Sequence, residues 1–262
     1  MSIITIPICG IKHSVLEYSE AILIFNTWVQ RRDKSRQVCT SNVHTIVMCQ
    51  TDKELADITN KADMVTMDGQ PMRWYANLVH KVGLRDRVCG PELMQRCLAA
   101  GVDKGWKHFF LGSTEAVLEG LCKRLSENYP GIKIVGCYSP PFRTLNEEEH
   151  QMIVNMINSS NADFLWVGLG APKQEKWIAK NLHLLHIPVQ IGVGAAFDFH
   201  SGNIRRAPAI LQKYGFEWLY RIIQDPRLLK RYFMTNPVFL FMFFRDYFQA
   251  RIISSRRLLD KS

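Results

Sequence analysis

Asp68 is the side chain in this sequence that is best placed to act as a general base. The segment Ala62-Asp63-Met64-Val65-Thr66-Met67-Asp68-Gly69 predicts a strand that ends in an Asp-Gly turn, with a helix following from about Pro71. Open α/β sheets bind substrates at the carboxyl ends of their strands, where a carboxylate can accept a hydroxyl proton. An ordinary turn or helix-capping aspartate explains the same spacing.

A second polar group, Cys39-Thr40-Ser41-Asn42, follows another predicted strand. Thr40 and Asn42 are small polar side chains that can hold a ribose, a phosphate or a sugar hydroxyl at such a position. Residues of these types also cap helices, so both interpretations stay open.

A glycine-containing turn lies in Val167-Gly168-Leu169-Gly170-Ala171-Pro172-Lys173-Gln174-Glu175. The pattern predicts a strand, a turn and then a helix with Pro172 at its first position. Backbone N–H groups at that helix start can bind a phosphate or a nucleotide edge, although a purely structural turn fits equally well. The glycine spacing is not a dinucleotide fingerprint and no Walker Lys-Ser/Thr pair follows, so neither NAD nor a P-loop is indicated.

Small residues around Gly194 let the backbone pass close to a ligand or to a neighbouring helix. Asp198 and His200 follow two residues apart and can pair with each other. A histidine in such a position is more often a structural residue than a ligand or a base.

Arginines are concentrated in the last quarter of the chain. From residue 200 onward there are 12 Lys or Arg against 4 Asp or Glu, which accounts for most of the formal net charge of +9. Arg205, Arg206, Arg221, Arg227 and Arg231 offer bidentate recognition of phosphate oxygens, and a solvated basic face is the alternative.

Strands that alternate with helices must position these side chains. Strands are predicted at residues 37–40, 64–67, 108–111, 133–137, 164–167 and 189–193, and helices at 114–128, 147–158 and about 172–183. This order predicts an α/β fold with a Rossmann-like parallel sheet flanked by helices. We expect a catalytic domain over residues 1–200 and a basic helical appendage over residues 201–262.

Within the appendage, the sequence predicts helices at 207–223, 226–234 and from 236 onward. Residues 238–244 are apolar all round and give way to Arg245 and Arg251. The run is too short to span a bilayer, which needs about 20 residues. It suits a helix lying in the membrane interface, with aromatic rings inserted and arginines at the headgroups; a core helix or a homo-oligomer interface is the alternative.

Composition and missing motifs argue against several other classes of protein. The seven cysteines form no C-x-x-C pair and are predicted to be free thiols, and the first residues do not resemble a signal peptide, so we expect a cytoplasmic protein. No Asp-x-Asp pair and no zinc-type Cys/His cluster is present, so neither a metal site nor a cofactor is predicted. Nucleic-acid binding is disfavoured because the basic residues are interleaved with a hydrophobic stretch.

The order of the motifs is more specific than any one of them. Together they resemble the WecG/TagA/CpsF glycosyltransferases (glycosyltransferase family 26) over nearly the whole chain. The motifs are Thr40-Ser41-Asn42-Val43-His44-Thr45, Asp68-Gly69 with Trp74, Arg87-Val88-Cys89-Gly90-Pro91-Glu92-Leu93, Phe110-Leu111-Gly112-Ser113, the Gly168 to Glu175 turn, Gly192-Val193-Gly194-Ala195-Ala196-Phe197-Asp198-Phe199, Arg206-Ala207-Pro208, Glu217-Trp218-Leu219-Tyr220-Arg221 and Asp225-Pro226-Arg227.

The resemblance implies a Rossmann-like fold of the GT-E type and inverting transfer without metal. It also implies a UDP-linked N-acetylmannosamine-type donor, an undecaprenyl-diphosphate-linked sugar acceptor, and a peripheral location on the inner face of the plasma membrane. Asp68 matches the proposed base and Thr40 the pocket threonine. Arg221, Arg227 and Arg231 match arginines expected to close over the donor diphosphate. The other expected substrate contacts are Asn42, Arg87, Gly170, Lys173, Gln174, Glu175, Asp198 and Arg206.

The sequence departs from the mannosaminyltransferase pattern at one motif. Where those members commonly read Asp-Gly-x-Gly, this chain reads Asp68-Gly69-Gln70-Pro71. With Ser139-Pro140-Pro141-Phe142, this version is similar to exopolysaccharide members, so UDP-glucose or another UDP-hexose stays open as donor. A non-catalytic, membrane-peripheral scaffold is the alternative outside the enzymes.

Overall fold

The computed structural model describes residues 3 to 259, in which strands and helices alternate. The strands are β1 (Thr5–Ile8), β2 (Ile11–Ser14), β3 (Arg36–Ser41), β4 (Met64–Met67), β5 (Lys107–Gly112), β6 (Lys133–Tyr138), β7 (Phe164–Gly168) and β8 (Val189–Gly192). The helices are α1 (Tyr18–Arg31), α2 (Val43–Cys49), α3 (Lys53–Lys61), α4 (Gln70–Val79), α5 (Gly90–Lys104), α6 (Glu115–Asn128), α7 (Glu147–Ser159), α8 (Lys173–Asn181), α9 (Ala196–Ser201), α10 (Ala209–Lys213), α11 (Glu217–Gln224) and α12 (Leu228–Leu259).

A six-stranded sheet in the order β4-β3-β8-β7-β5-β6 forms the centre, and all of its strand pairs are parallel. These are the six strands that the sequence predicts. The chain therefore has the predicted Rossmann-like α/β fold. The central strand β8 pairs with β3 on one side and with β7 on the other.

The strands form where short apolar runs can be buried on both faces. In β7, Phe164 and Trp166 point into the cluster formed with α1, α5 and α6, whereas Leu165 and Val167 point into the cluster formed with α7 and α8. This alternation follows from the two-residue period of a strand between two helical layers.

The flanking helices carry the expected start signals. Thr114 Oγ1 accepts a hydrogen bond of 3.3 Å from Val117 N, so it caps α6. Asn146 and Glu149 form a reciprocal capping box at the start of α7.

The antiparallel hairpin of β1 and β2 was not predicted. Its inward residues Ile8 and Ile11 are buried in a cluster with α2, α3 and α4. Val65 N, on the outer edge of β4, donates a 3.1 Å hydrogen bond to Ser14 Oγ. The hairpin thereby covers one exposed edge of the sheet.

We call residues 201–259 the C-terminal segment. The predicted continuous helix at 207–223 is wrong, because Gly215 breaks it into α10 and α11 with a φ of +77°. The predicted break before residue 236 is also wrong, because α12 runs through Pro237. A proline inside a helix costs about 3 kcal/mol, and burial of Phe239 and Met242 against α2 and α4 offsets that cost.

The opposite side of α12 is apolar and exposed. Phe241, Phe244 and Phe248 are 70%, 50% and 59% exposed, and their spacing places them on one helix face. Among the described residues, no helix has the length and apolar character needed to cross a bilayer.

Candidate active site

A cavity of about 760 Å³ lies at the carboxyl ends of β3, β4, β7 and β8, and the C-terminal segment forms its other wall. Of the side chains and glycines that the sequence points to, it is lined by Thr40, Asn42, Asp68, Arg87, Gly170, Gln174, Asp198, Arg206, Arg221 and Arg231. Residues more than 150 positions apart in the chain thus share one site. The structure places Lys173, Glu175 and Arg227 outside this lining.

Asp68 stands immediately after β4. Its backbone N donates a 2.8 Å hydrogen bond to Ser41 O, which fixes it beside the end of β3. Gly69 follows with a φ of +120°, a conformation that other residues rarely adopt, and α4 starts at Gln70. This turn directs the carboxylate into the cavity while the chain leaves in another direction.

The environment makes Asp68 a stronger base than an ordinary aspartate. Surrounding protein atoms, which disfavour the charged form, raise the pKa of Asp68 to about 6, although the side chain keeps some solvent contact. The positive charge of Arg87 lowers the pKa of Asp68, and the negative charge of Glu217 raises it. The positive charges of Arg221 and Arg206 lower it further. Asp68 is therefore largely ionised at neutral pH and can still accept a proton.

Glu217, from α11, pairs with two arginines of the cavity. Its Oε2 lies 2.7 Å from Arg87 Nη2, and its Oε1 lies 3.6 Å from Arg206 Nε. Arg206 also reaches Glu92 Oε2 at 3.4 Å and Cys89 Sγ at 3.3 Å. This charge network connects the C-terminal segment to the loop before α5.

Thr40 and Asn42 each already bind the protein. Thr40 Oγ1 donates a 2.7 Å hydrogen bond to Gly192 O, so towards the cavity its hydroxyl offers acceptor lone pairs. Asn42 Oδ1 accepts a 3.1 Å hydrogen bond from Thr45 N and caps α2. No hydrogen bond occupies Asn42 Nδ2 in the described part of the chain, which leaves a donor at the cavity wall.

The glycine turn after β7 is held by Gln174. Its Oε1 accepts a 3.0 Å hydrogen bond from Gly194 N, and its Nε2 donates to Glu175 Oε1 at 2.9 Å. A Cβ atom on Gly192 would lie 2.8 Å from Gln174 Nε2, so glycine is required where this side chain crosses β8. Gln174 thus joins the turns after β7 and β8 at the cavity.

Glu175 and Lys173 do not line the cavity. Glu175 is 1% exposed, and burial raises the pKa of its carboxyl group. Its backbone O accepts a 2.9 Å hydrogen bond from Gln37 Nε2, so it supports Gln174 from below the cavity. Lys173 is exposed at the first turn of α8.

Arg221 and Arg231 of the C-terminal segment face the cavity, as Arg206 does. The guanidinium carbon of Arg221 lies 5.5 Å from the ring centre of Phe199, and that of Arg231 lies 4.9 Å from the ring centre of Tyr232. The buried Nε of Arg231 has no hydrogen-bond partner in the described residues. Arg227 is 90% exposed and pairs with Asp225 on the surface, at 2.8 Å between Nε and Oδ1.

The pairing of Asp198 with His200 is wrong. Asp198 Oδ1 accepts a 2.9 Å hydrogen bond from Asn203 Nδ2. His200 Nε2 lies 2.9 Å from Pro91 O, because α9 turns the two side chains to different neighbours. His200 is therefore a structural residue, as its type suggested.

Sequence reasoning did not single out His44, Glu217 or Trp218, which also line the cavity. Burial, with a smaller effect of nearby Arg231, lowers the pKa of His44 to about 4, so its ring is neutral at pH 7. All three residues belong to motifs quoted above, which is the signal that could have found them.

Within residues 3–259, no three His, Cys, Asp or Glu side chains come close enough together to hold a metal ion.

The chain is similar to known glycosyltransferases. The model of the glycosyl transferase WecG/TagA/CpsF family matches residues 6–252. An N-acetylglucosaminyldiphosphoundecaprenol N-acetyl-beta-D-mannosaminyltransferase of Bacillus subtilis (strain 168) is 31% identical over 180 residues, which are 69% of this chain and 68% of that protein. An enzyme of the same name from Staphylococcus aureus (strain MW2) is 28% identical over 204 residues, 78% of each chain.

Proposed function

This chain belongs to the glycosyl transferase WecG/TagA/CpsF family and is a glycosyltransferase, and we propose that it moves a hexose from a UDP-sugar to a lipid-diphosphate-linked sugar with inversion. The observation that carries the proposal is the placement of Asp68 in one cavity with Arg221 and Arg231. A base for the acceptor and cations for the donor diphosphate then face the same space.

The proposed reaction is a single in-line displacement. The acceptor hydroxyl oxygen attacks the anomeric carbon of the donor while its proton moves to Asp68. The bond from the anomeric carbon to the UDP oxygen breaks, and UDP leaves with the electron pair. A new glycosidic bond forms on the opposite face of the sugar ring, which inverts the anomeric configuration.

The raised pKa of Asp68 suits this role. A carboxylate with a pKa of about 6 holds a proton better than an ordinary aspartate and yet is mostly ionised at pH 7. Burial is the main cause, so exclusion of water by bound substrates would strengthen the base further.

Charge develops on the leaving diphosphate, and the C-terminal segment supplies cations for it. Arg221 and Arg231 come from α11 and α12, and the turn at Gly170 and Ala171 brings the start of α8 to the cavity. Guanidinium groups and helix-start N–H groups both bind phosphate oxygens. We propose that they neutralise the diphosphate in place of a metal ion.

The remaining polar side chains orient the sugars and the base. We propose that Thr40 accepts a hydrogen bond from a sugar hydroxyl or amide and that Asn42 Nδ2 donates one. Gln174 holds the two glycine turns, and Arg87 with Arg206 flank the base. Asp198 lines the cavity with one oxygen bound to Asn203, which leaves the other for a substrate.

The nature of the relatives makes N-acetylmannosamine the first donor to test. The Bacillus and Staphylococcus enzymes are named as N-acetyl-beta-D-mannosaminyltransferases that use N-acetylglucosaminyldiphosphoundecaprenol. The Asp68-Gly69-Gln70-Pro71 version of the motif places Gln70 and Pro71 at the cavity wall beside the base, where they can alter the choice of sugar.

We propose that the protein works at the inner membrane surface, where a lipid-linked acceptor is found. The exposed face of Phe241, Phe244 and Phe248, with Arg245 and Arg251 nearby, suits a helix that lies in the headgroup region. The other face of α12 contributes Phe239, Leu240 and Phe243 to the cavity wall, which links membrane contact to the site.

A donor panel tests the proposal. The full chain is incubated with UDP-N-acetylmannosamine, UDP-N-acetylglucosamine, UDP-glucose or UDP-galactose and a short-chain prenyl-diphosphate N-acetylglucosamine, and the products are weighed by mass spectrometry. We expect one added hexose or N-acetylhexosamine with one donor and release of UDP. Absence of any lipid product across the panel, with UDP binding also absent, contradicts the proposal.

A further inference from the structure

A second pocket, of about 510 Å³, adjoins the cavity. Phe199 and Arg206 line both spaces, and Tyr220 lines the second pocket while its neighbour Arg221 lines the first. Arg124 and Arg205 complete the cationic side of the second pocket, and no Asp or Glu lines it. The pocket is therefore a concentrated positive site, one side chain away from the proposed active site.

Two arginines of this pocket, Arg124 and Arg205, lack partners that would neutralise them. Neither the Arg124 nor the Arg205 guanidinium makes a hydrogen bond or ion pair within the described residues. Arg206 pairs with Glu92 and Glu217 on its other side, at 3.4 Å and 3.6 Å, and its buried Nε makes no hydrogen bond within the described residues. The unpaired charges of Arg124 and Arg205 repel each other, so an anion bound between them stabilises the arrangement.

The position of Arg124 depends on a glycine. Gly202 ends α9 with a φ of +78°, and a Cβ atom built on it would overlap the Arg124 guanidinium group. A side chain at residue 202 would push Arg124 out of the pocket. The local backbone thus makes room for a guanidinium group from α6 beside the two arginines of the C-terminal segment.

We propose that this pocket, formed by Arg124, Arg205 and Arg206, binds the diphosphate of the acceptor, separately from the donor diphosphate. This inference rests on the proposed function. Arg206 faces the pocket and also acts on the charge of Asp68. An acceptor sugar whose hydroxyl meets Asp68 therefore extends its diphosphate to the far side of Arg206, where planar guanidinium groups can bind phosphate oxygens in pairs.

The surroundings of the pocket suit the lipid of such an acceptor. Leu219 and Ile223, on the same helix as Tyr220, are 42% and 79% exposed. A prenyl chain leaving the diphosphate would meet this apolar surface and continue towards the membrane. The donor diphosphate carries a uridine instead of a lipid, so it does not require an apolar surface beside it.

Steady-state kinetics of the full chain test the subsite. The variants are Arg124→Gln, Arg205→Gln and their combination, and Lys123→Gln on the same exposed turn of α6 is the matched control. Loss of one charge-assisted phosphate contact is expected to raise the KM for the lipid acceptor about tenfold or more. The KM for the donor and the affinity for UDP should stay within about twofold, and Lys123→Gln should match the wild type.

A binding measurement separates this proposal from the proposed function. Farnesyl diphosphate is titrated into wild-type protein and into the double variant without any donor, so no transfer is needed. Binding to wild type that the double variant loses supports the subsite even if no UDP-sugar is a donor. Equal binding by both proteins overturns the subsite even if transfer occurs.

Two further results also overturn it. A loss of UDP affinity in Arg124→Gln or Arg205→Gln would assign these arginines to the donor. Weaker binding to phosphatidylglycerol vesicles, with an unchanged acceptor KM in detergent, would assign them to lipid headgroups.

Discussion

Arg87 Nη2 and Glu217 Oε2 form a largely buried ion pair of 2.7 Å between residues that are 130 positions apart in the chain. The pair fastens α11 to the loop before α5, and both of its charges act on Asp68. Removing one member of a buried pair costs about 3–5 kcal/mol, because the other charge is left without a partner. Closure of the cavity and the strength of the base therefore depend on the same two side chains.

Glu217→Gln is expected to shift the acid limb of the pH profile to lower pH. Asp68 must be ionised to accept a proton, so kcat/KM falls as pH drops through its pKa of about 6. Glu217 raises that pKa, whereas Arg87, Arg221 and Arg206 lower it, so removing the carboxylate leaves the arginines unopposed. The measurement is kcat/KM against pH.

The control for this variant is Glu92→Gln. Glu92 also pairs with Arg206 but is not among the charges that act most on Asp68. Its acid limb should stay where the wild type has it. An unmoved limb in Glu217→Gln would show that the ion pair only holds the structure together.

Asp68→Asn is expected to lower kcat about a hundredfold or more, since an amide cannot accept the acceptor proton. UDP binding should be retained, because the carboxylate does not contribute to the cationic part of the cavity. Calorimetry with UDP and single-turnover kinetics measure the two quantities. Turnover close to that of the wild type would remove Asp68 from the role of base.

Arg231→Gln is expected to weaken UDP binding about tenfold or more, because its unpartnered, buried Nε faces the space proposed for the diphosphate. Lys230→Gln removes the same charge from the preceding, exposed position of α12 and should bind UDP as the wild type does. Equal affinities for both variants would place the diphosphate elsewhere in the cavity.

Activity is expected to persist in excess EDTA. Arg221, Arg231 and the start of α8 supply the positive charge that the leaving diphosphate needs. The assay compares initial rates with EDTA, with added Mg²⁺ and with added Mn²⁺. A rate that vanishes with EDTA and returns with one of these ions would contradict the arginine account.

Replacing Phe241, Phe244 and Phe248 together by Ser is expected to abolish binding to phosphatidylglycerol vesicles, since it removes the exposed apolar face of α12. UDP affinity should not change, because Phe239 and Met242 keep the helix on the core. Phe142→Ser, at an exposed aromatic residue far along the chain, is the control. Vesicle binding that survives the triple change would indicate a protein interface instead.

The sheet was predictable because most of its strands are short runs buried on both faces, while β6 at the sheet edge is only partly buried. The hairpin of β1 and β2 was not, since four-residue strands with one polar face carry little signal. In the C-terminal segment, Gly215 was not predicted to end a helix, although it separates α10 from α11. Pro237 normally marks a helix end, yet α12 continues through it. There tertiary contacts, rather than local preference, decide the outcome.

Part of the candidate active site was also predictable from the sequence. Residues that follow strands, such as Thr40 and Asp68, could be placed because parallel strands end at one edge. Glu217 could not, because its partner lies 130 positions away and only the folded chain shows the pair. Glu175 was expected in the cavity with its neighbour Gln174, but helix geometry turns consecutive side chains in different directions.

The central place of β8 has a consequence for the folding pathway. Strands β3 and β4 form one pair and β5, β6 and β7 another group, and only Val189–Gly192 connects the two by hydrogen bonds. Neither group can complete the sheet until this late segment inserts between them. Such pairing between distant parts of a chain slows folding, so we expect the rate of cavity formation to follow the rate at which β8 is inserted.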